Sequence, residues 1–217
     1  MSKRAFLQQS VNCLVLGALV PRLAHSASTS NQALVEGNQY RLVTPPQATQ
    51  TVSGKIEVIE FFWYACPHCF ALEPLLESWV EKLPTDVTFR RVHVAFRLPQ
   101  HQQIHYTLEM LDKLDELGPK VFDAIHRQRK RMRETDEIAE WAASNGINKP
   151  DFLTAFSSDS VRQKMQQASE TVAAFGIQAV PRLAINGKYV TSPKMAGSNE
   201  AAIAVTDLLI DRERMLS

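Results

Sequence analysis

Two cysteines separated by two residues, Cys66-Pro67-His68-Cys69, stand where one hydrophobic pattern gives way to another. Upstream, Ile56 to Ala65 is an apolar run broken only by Glu57 and Glu60, the pattern of a buried strand. Downstream, Phe70 to Val80 reads as a helix. A chain with this junction brings a strand into its core, turns sharply and starts a helix on the first cysteine. The sulfur of Cys66 then sits where backbone N–H groups lack partners and the helix dipole is positive. Pro67 suits the first turn, because its missing N–H would be unpaired there anyway. A CxxC in that setting supports reversible thiol–disulfide exchange. The bland alternative is a structural bridge, but a loop closed over two residues removes little chain entropy.

The third cysteine, Cys13, lies in a segment of another kind. Lys3 and Arg4 precede an apolar stretch from Val11 to Val20, and Ala24-His25-Ser26 resembles a small-residue cleavage site. Residues 1–26 therefore read as a secretory signal peptide, with an uncut membrane anchor as the alternative. Cleavage would remove Lys3, Arg4 and Arg22, taking the formal charge from +1 to −2. It would also leave Cys66 and Cys69 as the only cysteines. An exported chain with one close pair is not a disulfide-stapled scaffold. A length of 217 residues suits one domain with a large insertion or two small domains.

The pattern along the chain is strand, helix, strand, then helices, then a hairpin and a helix. Asn38 to Val43 reads as a short edge strand stopped by Pro45-Pro46. A helix from about Cys66 to Lys82 carries Pro74 inside it, and Val87 to Phe96 is the next strand. From about Gln100 to Gly176 the periodicity is helical. One helix is expected to end at Gly118-Pro119, and a second is marked by Val121, Phe122, Ile125 and Met132. A third, around Ile138 to Ala142, is stopped by Asn145-Gly146. A fourth contains Phe152 to Phe156, and a long one runs from about Asp159 to Phe175. Asn186-Gly187 between two apolar runs signals a hairpin, and Asn199 to Met215 an amphipathic helix. His101 and His105 have a spacing open to a metal, but no third ligand is apparent, and surface histidines are the simpler reading. The basic run Arg127, Arg129, Lys130, Arg131 and Arg133 reads as a solvated helix face, with no nucleic-acid partner implied.

In this order the residues resemble the DsbA-type thiol:disulfide oxidoreductases. The matching residues are Glu60-Phe61-Phe62, Cys66-Pro67-His68-Cys69, Glu73, His93-Val94 with Phe96, Gly176-Ile177 with Val180-Pro181, and Asn186-Gly187-Lys188-Tyr189. Pro-His between the cysteines separates this family from thioredoxins, which usually carry Gly-Pro. The resemblance implies an α/β thioredoxin fold with an inserted all-helical domain. The thioredoxin-like part would comprise 27–99 and 169–217, and the insertion 100–168.

The resemblance also implies roles. Cys66 is the nucleophile, its thiolate aided by His68 and the helix start, and Cys69 is its partner. Pro181 is expected to follow a cis bond, with the loop at Val180 lying against the CxxC as a docking edge for an extended substrate. A plain turn proline is the alternative. Glu60 is expected beneath the disulfide as a buried carboxylate that carries protons for Cys69, against a solvent-facing strand-end glutamate. Glu73 and Arg91 match positions near that acid where the family has Glu and Lys. Arginine does not release its proton, so a charge-pair role survives there better than a relay. The implied activity is oxidation of reduced exported proteins in the periplasm, by a monomer whose redox centre is the Cys66–Cys69 disulfide, with no organic cofactor or metal. A DsbB-type quinone-linked membrane oxidase would reoxidise it. The rivals are an isomerase or reductase of the same fold, and a metal-carrying module using Cys66, Cys69 and His68.

Overall fold

The computed structural model describes residues 34–216; the expected signal peptide and Cys13 lie outside them. In chain order the elements are β1 (Tyr40–Leu42), β2 (Ile56–Phe62), α1 (Pro67–Val80), β3 (Val87–His93), α2 (Pro99–Met110), α3 (Leu114–His126), α4 (Thr135–Ser144), α5 (Lys149–Phe156), α6 (Asp159–Ala174), β4 (Arg182–Ile185), β5 (Tyr189–Thr191), α7 (Pro193–Ala196) and α8 (Asn199–Leu216). The strands form one sheet in the order β1-β5-β4-β2-β3, with β2 and β3 parallel and the other neighbours antiparallel. A strand–helix–strand unit and a hairpin–helix unit thus share a sheet with β2 at its centre, and five helices separate them.

Alternation along β2 decides what lies on each face. Ile59 and Phe61 face α6, packing with Val92, Val161, Ala168 and Phe175. Val58 faces α8, packing with Ile185, Val205 and Leu209. Glu60 shares the parity of Val58, which puts its carboxylate on the face that α1 and α8 cover. Phe62 and Tyr64 join a third cluster with Ile104, Leu108, Phe122, Met132 and Trp141, which also contains Cys66 and Cys69. The core of the helical layer therefore reaches the redox motif without a break. The boundary expected at residue 168 runs through α6, a helix that packs on the sheet through Val161 and Ala168, with Phe175 just past its end.

The hairpin is built on Asn186 and Gly187, both at positive φ (49° and 68°), with Lys188 N–H bonded to the Ile185 carbonyl at 3.0 Å. A Cβ on Gly187 would lie 1.9 Å from the Gln47 carbonyl oxygen. Gly187→Ala is therefore expected to lower stability by more than about 2 kcal/mol, measured by urea unfolding.

Three expectations need correction. The first break in the helical segment falls at Leu111–Lys113, and Gly118-Pro119 lie inside α3. The stop is made by Asp112 at φ 53°, with its N–H bonded to the Glu109 carbonyl and the Lys113 N–H to the Leu108 carbonyl. That is a Schellman cap with aspartate in the usual glycine place. Second, α3 ends at His126, so Met132 and the basic run occupy a loop rather than a helix. Third, His101 and His105 are buried, not on the surface.

His105 and the buried His93 have ring centres 6.1 Å apart, and Phe62 and Tyr64 pack against both. Burial holds His93 well below the ordinary histidine range and His105 down to about 3. Both are thus neutral in the folded protein while the unfolded chain protonates near pH 6.5. The stability they contribute is complete above pH 6.5 and is lost as pH falls, by about 2 kcal/mol for His105 at pH 5. Their ring proton resonances are expected not to titrate between pH 5 and 8; a midpoint near 6.5 would contradict the burial argument.

Candidate functional site

Cys66 is the N-cap of α1, in extended conformation, with Pro67 opening the helix. Its N–H bonds the Trp63 carbonyl at 2.9 Å, which closes the turn out of β2. Cys66 is 7% exposed and Cys69, one turn on, is 0% exposed; both are free thiols. The geometry separates the two sulfurs chemically. A hydrogen bond from the Cys69 thiol, helped by the N–H groups of Cys69 and His68 and the His68 charge, outweighs burial and brings Cys66 down to about 6. Burial first, then the interaction with Cys66 and the charge of Glu60, pushes Cys69 far up. Reactivity of the reduced protein toward iodoacetamide is therefore expected to rise with a midpoint near pH 6. His68→Ala should move that midpoint upward.

Beneath the pair lies a charge cluster that the sheet register assembles. Arg91 of β3 is directly opposite Glu60 of β2, and Glu73 stands one helical turn beyond Cys69, on the buried side of α1. Arg91 Nε is 3.0 Å from Glu60 Oε2, and an Arg91 terminal nitrogen is 2.7 Å from Glu73 Oε1. Glu60 is 0% exposed, and its Oε1 has no hydrogen-bond partner among the described residues. Burial pushes Glu60 up to about 8 against the pull of Arg91. Glu73 also moves up, again through burial. At neutral pH the Glu60 carboxyl is mostly protonated, and when ionised its charge acts on Cys69, the sulfur that most needs a proton.

The surface beside Cys66 is apolar. The Val180–Pro181 bond is cis, and the Cys66 thiol reaches the Val180 carbonyl at 3.6 Å. Trp63, Phe96, Arg97 and Val180 join Cys66 in lining a cavity of 590 Å³. Phe96 is held at φ 35° and 45% exposed, its ring edge-on to Trp63. Pro67 and His68 are exposed at the start of α1. The structure thus brings together Cys66, Cys69, His68, Pro67, Glu60, Val180 and Pro181, with Glu73 and Arg91 behind them. Sequence reasoning gave Phe96 no part in this surface and passed over Arg97; their nearness to Cys66 comes from the chain leaving β3 beside β2, which local spacing does not encode. Among the described residues, no group of three or more His, Cys, Asp and Glu is placed to hold one metal ion.

Comparison with known proteins is consistent across sequence and structure. A family model described as Thioredoxin matches residues 52–204. The chain is 41% identical over 204 residues to the thiol:disulfide interchange protein DsbA of Bordetella parapertussis, covering 93% of this chain and 95% of the relative. It is 37% identical over 205 residues to the protein of that name from Pseudomonas syringae pv. tomato, covering 94% and 96%. The crystal structure of Pseudomonas aeruginosa DsbA aligns with a TM-score of 0.81 at 35% identity, covering 84% of this chain and 96% of that one.

Proposed function

Because the chain belongs to the DsbA family of thiol:disulfide interchange proteins, we propose that it oxidises reduced exported proteins in the periplasm by handing over a Cys66–Cys69 disulfide. The observation that carries this reading is the asymmetry of the pair: an acidic Cys66 that keeps a sliver of surface (7%) in the wall of the apolar cavity, above a fully buried Cys69 that strongly favours its proton.

A substrate thiolate attacks Cys66 Sγ, and the Cys66–Cys69 bond breaks with its electron pair going to Cys69. The buried thiolate is a poor leaving group by itself, and the protonated carboxyl of Glu60 supplies its proton. A second substrate thiolate then attacks the substrate sulfur of the mixed disulfide and expels Cys66 as a thiolate. Low-pKa thiols leave fastest, so this step is favoured. The substrate gains one disulfide and the protein keeps two electrons as two sulfur groups. Val180 and Pro181, in the segment that leads into β4 beside Cys66, offer the backbone along which an extended substrate lies, and His68 favours the Cys66 anion.

The sign of the redox preference follows from Cys66. A thiolate exists only in the reduced protein, so a pKa near 6 instead of 9 favours that state. At pH 7 this amounts to about 1.4 kcal/mol, or about 30 mV toward a stronger oxidant. Reoxidation passes electrons to a membrane-bound oxidant of the quinone-linked kind, which meets the same apolar surface. The test is the reduction potential of the pair against a glutathione buffer. A value well above the glutathione couple is expected; one well below it would make the protein a reductase and overturn the oxidase reading.

A further inference from the structure

The basic run is the strongest sequence signal that this chemistry leaves unused. It occupies the loop between α3 and α4, and its backbone is fastened from several sides. Lys130 N–H bonds the Ala124 carbonyl at 2.9 Å. Glu137 accepts the N–H groups of Arg131 at 3.1 Å and Arg133 at 3.3 Å. Met132, 0% exposed, plugs into the helical core, and both it and Arg129 hold positive φ (49° and 60°). Two non-glycine residues in that region are a cost that a merely solvated connection does not require.

The result is a fixed loop with its cations outward. Arg129, Lys130, Arg131 and Arg133 are exposed and form no ion pair among the described residues. The acids that follow, Glu134, Asp136 and Glu137, lie at the head of α4. There Asp136 and Glu137 face the positive end of that helix, and Glu137 is held by backbone N–H groups.

Two seams tie this loop to the redox site. His126 is hydrogen-bond distance (2.7 Å) from the Tyr64 carbonyl and stacks on Phe70, the residue after Cys69. The Arg127 guanidinium lies 5.5 Å from the centre of that Phe70 ring. On the other side, His101 contacts the Arg131 carbonyl at 3.3 Å and lies beside Trp63, a wall of the apolar cavity at Cys66. Arg97 adds a further exposed cation without an ion pair among the described residues, in the cavity wall itself.

Resting on the oxidase reading, we propose that the loop from Arg127 to Arg133, with Arg97, is a specificity surface that selects protein segments carrying acidic residues beside the cysteine to be oxidised. An apolar side chain of such a segment enters the cavity at Trp63, Phe96 and Val180 while its carboxylates meet the cations. A lipid surface is the poorer occupant, because a face laid on lipid would cover the cavity at Cys66 that soluble reduced proteins must reach.

The test uses the oxidised full protein and three reduced peptides of equal length, each with two cysteines and an apolar residue, flanked by acidic, neutral or basic residues. Rates of thiol loss are measured from low salt to 1 M. The acidic peptide is expected to react about tenfold faster than the neutral one at low salt, with the gap closing as screening shortens the field. In the variant R129S/K130S/R131S/R133S the preference falls severalfold, to what Arg97 and Arg127 still supply, while the neutral rate stays. The charge-keeping variant R129K/R131K/R133K retains the preference, which separates charge from a disturbed loop. A flat peptide series, a preference undiminished in the serine variant, or an equal loss for all peptides overturns the proposal. So does run-dependent binding to phosphatidylglycerol vesicles with a flat series, which would assign the loop to the membrane. A protein that oxidises none of the peptides overturns the oxidase reading itself, a result distinct from a flat series.

Discussion

Serine at Cys69 is expected to reduce disulfide donation to the uncatalysed level, a loss of roughly a thousandfold or more, and to turn the protein into a trap. Cys66 loses the hydrogen bond from the Cys69 thiol but keeps the N–H groups at the head of α1 and the His68 charge, with a serine hydroxyl in place of the thiol, and can still attack a substrate disulfide, forming a mixed disulfide. No neighbouring sulfur is then left to release it from within the protein. Covalent complexes on non-reducing gels should accumulate with Cys69→Ser, and Cys66→Ser should form none, because Cys69 is fully buried. Complexes of equal abundance from the two variants would mean that the sulfurs are equally reachable. That would remove the asymmetry on which the mechanism stands.

The second large effect concerns stability. Arg91 lies between Glu60 and Glu73, both buried. Removing one partner of a buried charge cluster usually costs about 3–5 kcal/mol, since the charge left behind has neither water nor a counter-ion. Arg91→Met is expected to lose stability in that range at pH 8. Burial already raises both carboxyls, and loss of the cation raises them further. The folded variant then binds protons that the unfolded chain, titrating near 4.3, does not. Its deficit should therefore shrink as pH falls from 8 toward 5, measured by urea unfolding across that range. Arg91→Lys keeps the charge and should stay within about 1 kcal/mol of the parent. A deficit independent of pH would mean that lost packing, not stranded charge, is the cause.

The redox motif was legible because it is local. A strand, a turn and a helix start fit within about 25 residues, and the apolar run of β2 matches Ile56–Phe62 in the structure. Asn186-Gly187 likewise gave its hairpin, since a turn with two positive φ angles depends on few residue types. The charge cluster was legible only through family resemblance. Glu60 and Arg91 are partners by parallel register, and nothing in their spacing of 31 positions says so. The helical layer was misread where its punctuation is unusual: Asp112 caps a helix in a place that glycine usually fills, while Gly118-Pro119 sit inside one. The histidines were misread because His101 and His105 resemble surface polar residues until the packing of Phe62, Tyr64 and Trp63 against them is seen.

The unequal exposure of the two sulfurs also dictates the order of events in time. Everything that exchanges electrons with this protein must do so at Cys66, because Cys69 offers no surface. A reduced substrate and the reoxidant therefore cannot be served together; they queue for one atom. Initial rates should give parallel lines in double-reciprocal plots, and an excess of either reactant should slow the other. The share of molecules resting with the disulfide closed is then set by the ratio of the two supplies, so the protein reports in its own redox state whether thiols arrive faster than electrons leave.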